Sequence, residues 1–260
     1  MTAPALLCDC ALDVYERALN RAALNRAALS RLPLNQAPLN GPPLGQAPPS
    51  QGPLGRDAPL VLRTADGRER RADPGAWCAD RVPGDDGLLD RCRGATLDVG
   101  CGPGRLTAAL LGRGQPALGI DVSAVAVRLA RERGAVALRR DVFGPLPGHG
   151  RWETLLLADG NLGIGGDPAT LLARCRDLLA PHGRLHAELD PPGSGSWSGV
   201  ATLHAGGVAD PYAGGVDRGA PMRWAWVAAD DLAPRAARAR LAVSTTWTEA
   251  GRWFATLVHA

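Results

Sequence analysis

The sequence predicts an α/β fold: an open, mostly parallel sheet with helices on both faces, closed by an antiparallel hairpin. Between residues 94 and 193, apolar runs of strand length alternate with amphipathic runs of helix length, as parallel strands joined by crossovers require. Residues 241–259 read instead as two consecutive strands turned at Ala250-Gly251. The residues just after the strands of the alternating region are polar and glycine-rich, and open parallel sheets gather ligands at that edge.

Taken in order, the 260 residues divide into a helix over 1–20, a proline-rich pentapeptide segment over 21–57 and one domain over 58–260 with a lid insertion at 191–227. From Arg21 to Gly55 the chain repeats as RAALN, RAALS, RLPLN, QAPLN, GPPLG, QAPPS and QGPLG, a period of five that suits neither helix nor strand. The first copies lack proline and can prolong the opening helix. From Pro33 onward every copy carries one, which removes amide donors and predicts a disordered, polyproline-like segment. Leu60 to Arg63 form a short strand turned at Asp66-Gly67. ATLDV (95–99) is a buried strand, RLTAALLGRG a helix ended by glycine, and PALGID (116–121) a second strand. Ser123 caps the next helix, AVALRR (135–140) is a third strand and ETLLLA (153–158) a fourth. Asp167 caps a helix over 167–180 with Pro168 at its first position, and GRLHAEL (183–189) is a fifth strand. A further helix over 230–240, capped by Asp230, precedes the closing hairpin.

Composition removes several functions. All 29 basic residues are arginine, which excludes Schiff-base and other lysine chemistry. A net charge of +3 from scattered arginines argues against a nucleic-acid groove. The six cysteines lack paired metal-ligand spacing and read as reduced thiols. No acidic cluster has the spacing of a magnesium site, so no metal is expected. The opening MTAPALLCDC lacks the basic region of a secretory signal, and no run approaches the ~20 apolar residues of a membrane span, so a cytoplasmic protein is expected.

The loop Asp98-Val99-Gly100-Cys101-Gly102-Pro103-Gly104-Arg105 joins a strand to a helix whose first amides are free, an arrangement that lets a ligand approach backbone closely. Asp121 closes the second strand, where a carboxylate can accept both hydroxyls of a ribose, and Asp141 closes the third. In this order and spacing LDVGCGPGR, GIDVS, RDVF and LLLADGN resemble the class I S-adenosylmethionine-dependent methyltransferases, over about residues 94–193. The stretch LADGNLGIGGDP is similar to a group of small actinobacterial methyltransferases.

The resemblance implies a Rossmann-like seven-stranded sheet and S-adenosyl-L-methionine as cofactor. Carried over by position, it puts Gly100, Cys101 and Gly102, with Gly104 in the same loop, around the methionine portion, and Asp98 in support. It assigns Asp121 to the ribose, Val122 to the adenine face, Asp141 to the adenine amino group and the Val142 amide to a ring nitrogen. Asp159 is placed near the methionine amine and the methyl group. The order GxGxG with Pro103 favours this family over a nicotinamide-dependent oxidoreductase, and a non-catalytic S-adenosylmethionine-binding protein is the other alternative.

The fourth-strand loop Asp159-Gly160-Asn161-Leu162 departs from the Asp/Asn-Pro-Pro-aromatic pattern of nucleic-acid amino methyltransferases, so a small-molecule acceptor, methylated on oxygen or nitrogen, becomes the expectation. The long segment from Pro191 to Val227 holds Trp197, His204, Tyr212, Trp224 and Trp226 and reads as a lid over the acceptor. Among Asp159, His186, Asp190 and His204, the residues favoured as a base are Asp190 and His204.

Overall fold

The computed structural model describes residues 9–29, 59–205 and 219–260. Its first helix is α1 (Asp9–Leu29), followed by β1 (Leu60–Thr64), β2 (Glu69–Ala72) and the short helices α2 (Pro74–Cys78) and α3 (Asp85–Leu89). The alternating region then supplies β3 (Thr96–Val99), α4 (Arg105–Gly112), β4 (Ala117–Asp121), α5 (Ala124–Glu132), β5 (Ala137–Arg139), β6 (Trp152–Leu157), α6 (Pro168–Leu178) and β7 (Leu179–Leu189). The chain ends with β8 (Trp197–Ala205), β9 (Ala220–Trp226), α7 (Leu232–Arg238), β10 (Leu241–Glu249) and β11 (Arg252–His259).

Among the described residues the strands fall into two sheets. The larger has seven strands in the order β10-β11-β7-β6-β3-β4-β5. Strands β5, β4, β3, β6 and β7 run parallel, and β11 and β10 add antiparallel to that edge. The expected open sheet with its closing hairpin is present. Period-two alternation sorts the apolar residues: Leu155 and Leu157 of β6 pack in one core with Leu97, Ile120, Leu171 and Leu185, while Leu156 between them joins Leu88, Leu106, Leu110 and Phe254 on the opposite face. Both faces being covered, the interior strand β3 is buried at every position. The local signals act as their chemistry requires. Ser123 accepts from the Ala126 amide to start α5, and Asp167 accepts from the amides of Ala169 and Thr170 to start α6. Ala250 and Gly251, at φ 51° and 79°, make the tight turn of the last hairpin.

Three boundaries differ from expectation. Helix α1 continues past the expected boundary at residue 20 to Leu29, because the first pentapeptide repeats carry no proline and prolong it, and Ala22 is buried. The proline-bearing repeats lie outside the described residues. Asp230 does not cap the late helix: a 3-10 turn over Ala229–Asp231 comes first, and the Asp230 carboxylate accepts from the Gly193 amide at 3.0 Å. Helices α2 and α3 have five residues each, too few for a periodic signal in the sequence.

The second sheet, in the order β2-β1-β8-β9, is antiparallel throughout. The lid segment contributes β8 and β9, but they pair with a strand from the start of the domain. The inner face of this sheet packs with α1: Ala11 and Val14 meet Leu60, Leu62, Leu203, Met222 and Trp226. Further along α1, Leu19 and Ala22 pack with Cys78 and with Ala126 of α5. Thus α1 ties the small sheet to the large one.

Candidate active site

A cavity of about 280 Å³ lies beyond the carboxyl ends of β3, β4, β6 and β7, between the large sheet and the inner face of the small one. Its floor is the glycine loop. The amides of Gly100 and Cys101 donate to the Ile120 carbonyl at 2.8 and 3.0 Å, which folds the loop back over β4. Asn161, from the 3-10 segment after β6, clamps it from the other side by donating through Nδ2 to the carbonyls of Val99 (3.0 Å) and Gly100 (2.8 Å). Gly104 does a different job. Its φ is 79°, and a Cβ there would lie 2.7 Å from that of Ala130, so this glycine lets α4 approach α5.

Two carboxylates are buried beneath the loop. Asp121 accepts from the Gly102 amide at 3.0 Å and the Ser123 amide at 2.8 Å, one on each oxygen. Burial pushes its pKa up to about 6, against the pull of those backbone donors. Asp98 accepts from Thr107 Oγ1 at 2.7 Å, and burial likewise pushes it up to about 6.

Beside them, five ionisable side chains from distant parts of the chain form a cluster. Arg252, at the start of β11, reaches Glu188 with Nε and Nη2 at 2.8 and 2.7 Å, Asp85 with Nη1 at 2.9 Å and Asp159 with Nη2 at 3.2 Å. Arg105, only 4% exposed, donates to Asp159 at 2.5 Å and ion-pairs with Asp85. Asp159 sits at φ 53°, with its amide donating to Glu188 Oε2 at 2.6 Å. Burial raises the Asp159 carboxyl, Glu188 adds to this, and the two arginines oppose it. Burial also works against the charge on Arg252, but its carboxylate partners outweigh that and hold it firmly protonated. Arg105 Nε is buried without a hydrogen-bond partner and belongs to a residue of the cavity wall.

The roof comes from the small sheet and α1. Leu62, Leu203, Met222, Trp224 and Trp226 line it. Arg70 of β2 donates to Asp190 Oδ2 at 2.8 Å and lies 5.4 Å from the Trp226 ring centroid. Tyr15 of α1 stands edge-on to Trp77, ring centroids 5.9 Å apart, with its hydroxyl close to Gly102. Burial, and then Asp121, raise this phenol well above its ordinary range, so it stays protonated. Glu16, one residue on, accepts from Ser123 Oγ at 2.8 Å and thereby holds α1 against α5.

Residues 96–183 match a family model described as a methyltransferase domain. Over its whole length it is similar in fold to a SAM-dependent methyltransferase from Bacteroides fragilis solved in complex with S-adenosyl-L-homocysteine, with TM-score 0.67, 17% identity and 98% of each chain covered. It is also similar to the CcbJ methyltransferase from Streptomyces caelestis, with TM-score 0.50, 18% identity and coverage of 70% of this chain and 98% of the other. Streptomyces venezuelae DesVI gives TM-score 0.50, 17% identity and coverage of 71% and 92%. At such identities these are likenesses of fold. No curated protein sequence matches the chain.

The structure brings Asp98, Gly100, Cys101, Gly102, Asp121, Val122, Val142, Asp159 and Asp190 together in the cavity wall. Cys101 contributes backbone there, since its sulfur packs against β4 at Gly119, and burial raises the thiol well above its usual value. Three expected site residues are not brought into the wall. Gly104 serves helix packing. Asp141 turns its carboxylate to the Phe143 amide at 2.9 Å and so caps its own turn. His204 is corrected as a base. On β8 the inward position belongs to Leu203, so His204, opposite Val61 in the register, faces the other side of the small sheet. His186, also considered, is held between Thr256 Oγ1 at 3.0 Å and the Arg91 carbonyl at 3.2 Å, and burial lowers its pKa to about 4. Tyr212 lies outside the described residues. Sequence reading missed Tyr15, Arg70, Asp85, Glu188 and Arg252, which come from elements without motifs. Asn161 was visible in the fourth-strand loop but carried no assigned role.

Proposed function

We propose that the protein transfers the methyl group of S-adenosylmethionine to an oxygen or nitrogen of a small-molecule acceptor. The observation that carries this is a single cavity walled on one side by the glycine loop, Asp98, Asp121 and Asp159, and on the other by an apolar roof with Asp190. The residues present suit the cofactor. Asp121 keeps lone pairs for ribose hydroxyls beyond its two backbone bonds, Val122 and Val142 offer apolar contact for the base, and the partnerless Arg105 Nε is a donor for a carboxylate. The cluster of Arg105 and Arg252 with Asp85, Asp159 and Glu188 carries one carboxylate in excess, which suits the net positive charge of the cofactor.

When bound, S-adenosylmethionine supplies a sulfonium-activated methyl group, so the protein is left chiefly to align the acceptor and exclude water. Asn161 and the Asp121 bonds fix the glycine loop. Asp159, locked by two arginines, fixes the floor, and the aromatic roof displaces water. Asp190 is placed to take the acceptor's proton; burial raises its carboxyl above the usual range, and Arg70 opposes that. The net charge of only +3 favours a small molecule over nucleic acid, and the buried cysteines Cys92, Cys101 and Cys175, which form no disulfide among the described residues, suit a reducing cytoplasm. Nothing in the geometry favours a nicotinamide-dependent or a non-catalytic reading.

Calorimetric titration with S-adenosylmethionine and S-adenosylhomocysteine tests the proposal. Saturable binding of both is expected, with loss of at least about tenfold in affinity in Asp121→Ala, equivalent to about one hydrogen bond to a charged group. Absence of binding by the folded wild-type protein would overturn it.

A further inference from the structure

The roof of the cavity discriminates among acceptors by charge and shape. Leu62 pairs with Arg70 across β1 and β2, so strand alternation puts Arg70 on the same inner face as Leu60 and Leu62. There it meets Asp190 at 2.8 Å and Trp226 at 5.4 Å from the ring centroid. The pair is half-buried, at 39% and 28% exposure, and is neutral as a unit. Around it the wall is Leu62, Leu203, Met222, Trp224 and Trp226. The other arginines of the cavity do not supply a countercharge inside. Arg71, opposite Val61, and Arg223, opposite Val200, lie on the outward registers of their strands, and with Arg140 they line the cavity only as exposed side chains in contact with solvent. Arg105 and Arg252 are committed to carboxylates in the floor. An acceptor bearing a full charge at the Arg70–Asp190 pair would set it against the apolar inner wall, away from the exposed arginines, where burying an unpaired charge is unfavourable.

Resting on the methyl-transfer reading above, we infer that the acceptor is a neutral, planar, largely apolar molecule with a hydroxyl or ring N–H, and that Arg70 is the positioning residue that presents Asp190 to that group. Arg70 occupies Oδ2 of Asp190, and Oδ1 has no hydrogen-bond partner among the described residues, so it is open to accept from the acceptor. Stacking on Trp226 holds the guanidinium, and the carboxylate with it, at a fixed angle to the aromatic wall. Next to this pair the wall of Leu62, Leu203, Met222 and Trp224 is apolar, and a planar ring packs against such a wall more closely than a puckered one.

The test uses the full-length protein saturated with S-adenosylhomocysteine. Failure of that first complex to form counts against the methyl-transfer reading, separately from the outcome with acceptor probes. Four such probes are then titrated calorimetrically: 2-naphthol, its aprotic methyl ether, 2-naphthoate and the puckered decahydro-2-naphthol. Expected is 2-naphthol binding at least about tenfold tighter than each of the others, the scale of one buried hydrogen bond or one unpaired charge. In Arg70→Met the preference of 2-naphthol over its methyl ether should fall about tenfold with S-adenosylhomocysteine affinity unchanged, and Arg70→Lys should recover part of it. Tighter binding of 2-naphthoate, binding of none of the four, or a preference untouched in a folded Arg70→Met protein would each overturn the inference.

Discussion

The large parallel sheet and the small antiparallel one meet across the same cavity, yet they are built in opposite ways. From β3 to β7 the large sheet is local. Strands β3 and β4 are each followed within a few residues by a helix, α4 and α5, and α6 runs straight into β7, with Gly104, Ser123 and Asp167 at the starts of these helices. The small sheet is assembled from three separated segments: the β1–β2 hairpin, the β8–β9 pair and, across its inner face, α1. Its strands pair across a long stretch of sequence, β1 with β8 joining residues 60–64 to 201–205. The difference divides function too. Under the function proposed above, the local half supplies the cofactor side of the cavity through backbone turns and their carboxylate anchors, and the assembled half supplies the acceptor side through side chains from unrelated stretches.

The contrast predicts unequal consequences for substitutions. The largest effect belongs to Gly104→Val. A side chain 2.7 Å from the Ala130 Cβ, on backbone at φ 79°, combines overpacking with left-handed strain and should cost about 4 kcal/mol, read as a collapse of the urea midpoint of the whole domain. Leu203→Ala empties part of the inner lid face and should cost about 3 kcal/mol, but as local opening. Amides of β8 and β9 should then exchange faster while those of β3 and β4 keep their protection and S-adenosylhomocysteine still binds. Equal loss of protection in both sheets would show that they form one cooperative unit.

A smaller effect concerns pH. Asp98 is raised to about 6 by burial, against an unfolded value of about 3.9. The folded state therefore binds more protons than the unfolded state across that window. Its contribution is fully present below about pH 4 and is lost as pH rises through about 6. Relative to wild type, Asp98→Asn should therefore gain about 2 kcal/mol between pH 4 and pH 7.5 in the ligand-free protein, by urea denaturation at each pH. Parallel pH profiles for the two proteins would contradict the assignment.

Legibility in the sequence followed the same division. The strands of the parallel sheet, the caps Ser123 and Asp167, the turn at Ala250-Gly251 and the gathering of the glycine loop with Asp98 and Asp121 in the cavity wall were readable because each depends on residues close together in the chain. Asp141 and His204 were misplaced for one reason: which way a side chain points after a strand depends on a turn bond or a strand register, and neither is written in the residue itself. Arg252 shows the converse. In sequence it is one arginine in a hairpin, and only the antiparallel docking of β11 against β7 brings it to Glu188 and Asp159.

What the sequence determined by itself was the alternating architecture and the chemistry of the glycine loop, since hydrophobic period and turn-forming residues act over a few positions. Tertiary structure alone decided the pairing of β1 with β8, the seating of α1 with Tyr15 over Gly102, and the joining of Arg70 to Asp190. That ion pair spans 120 residues of sequence, and a one-residue change of strand register would turn each inward side chain to the opposite face.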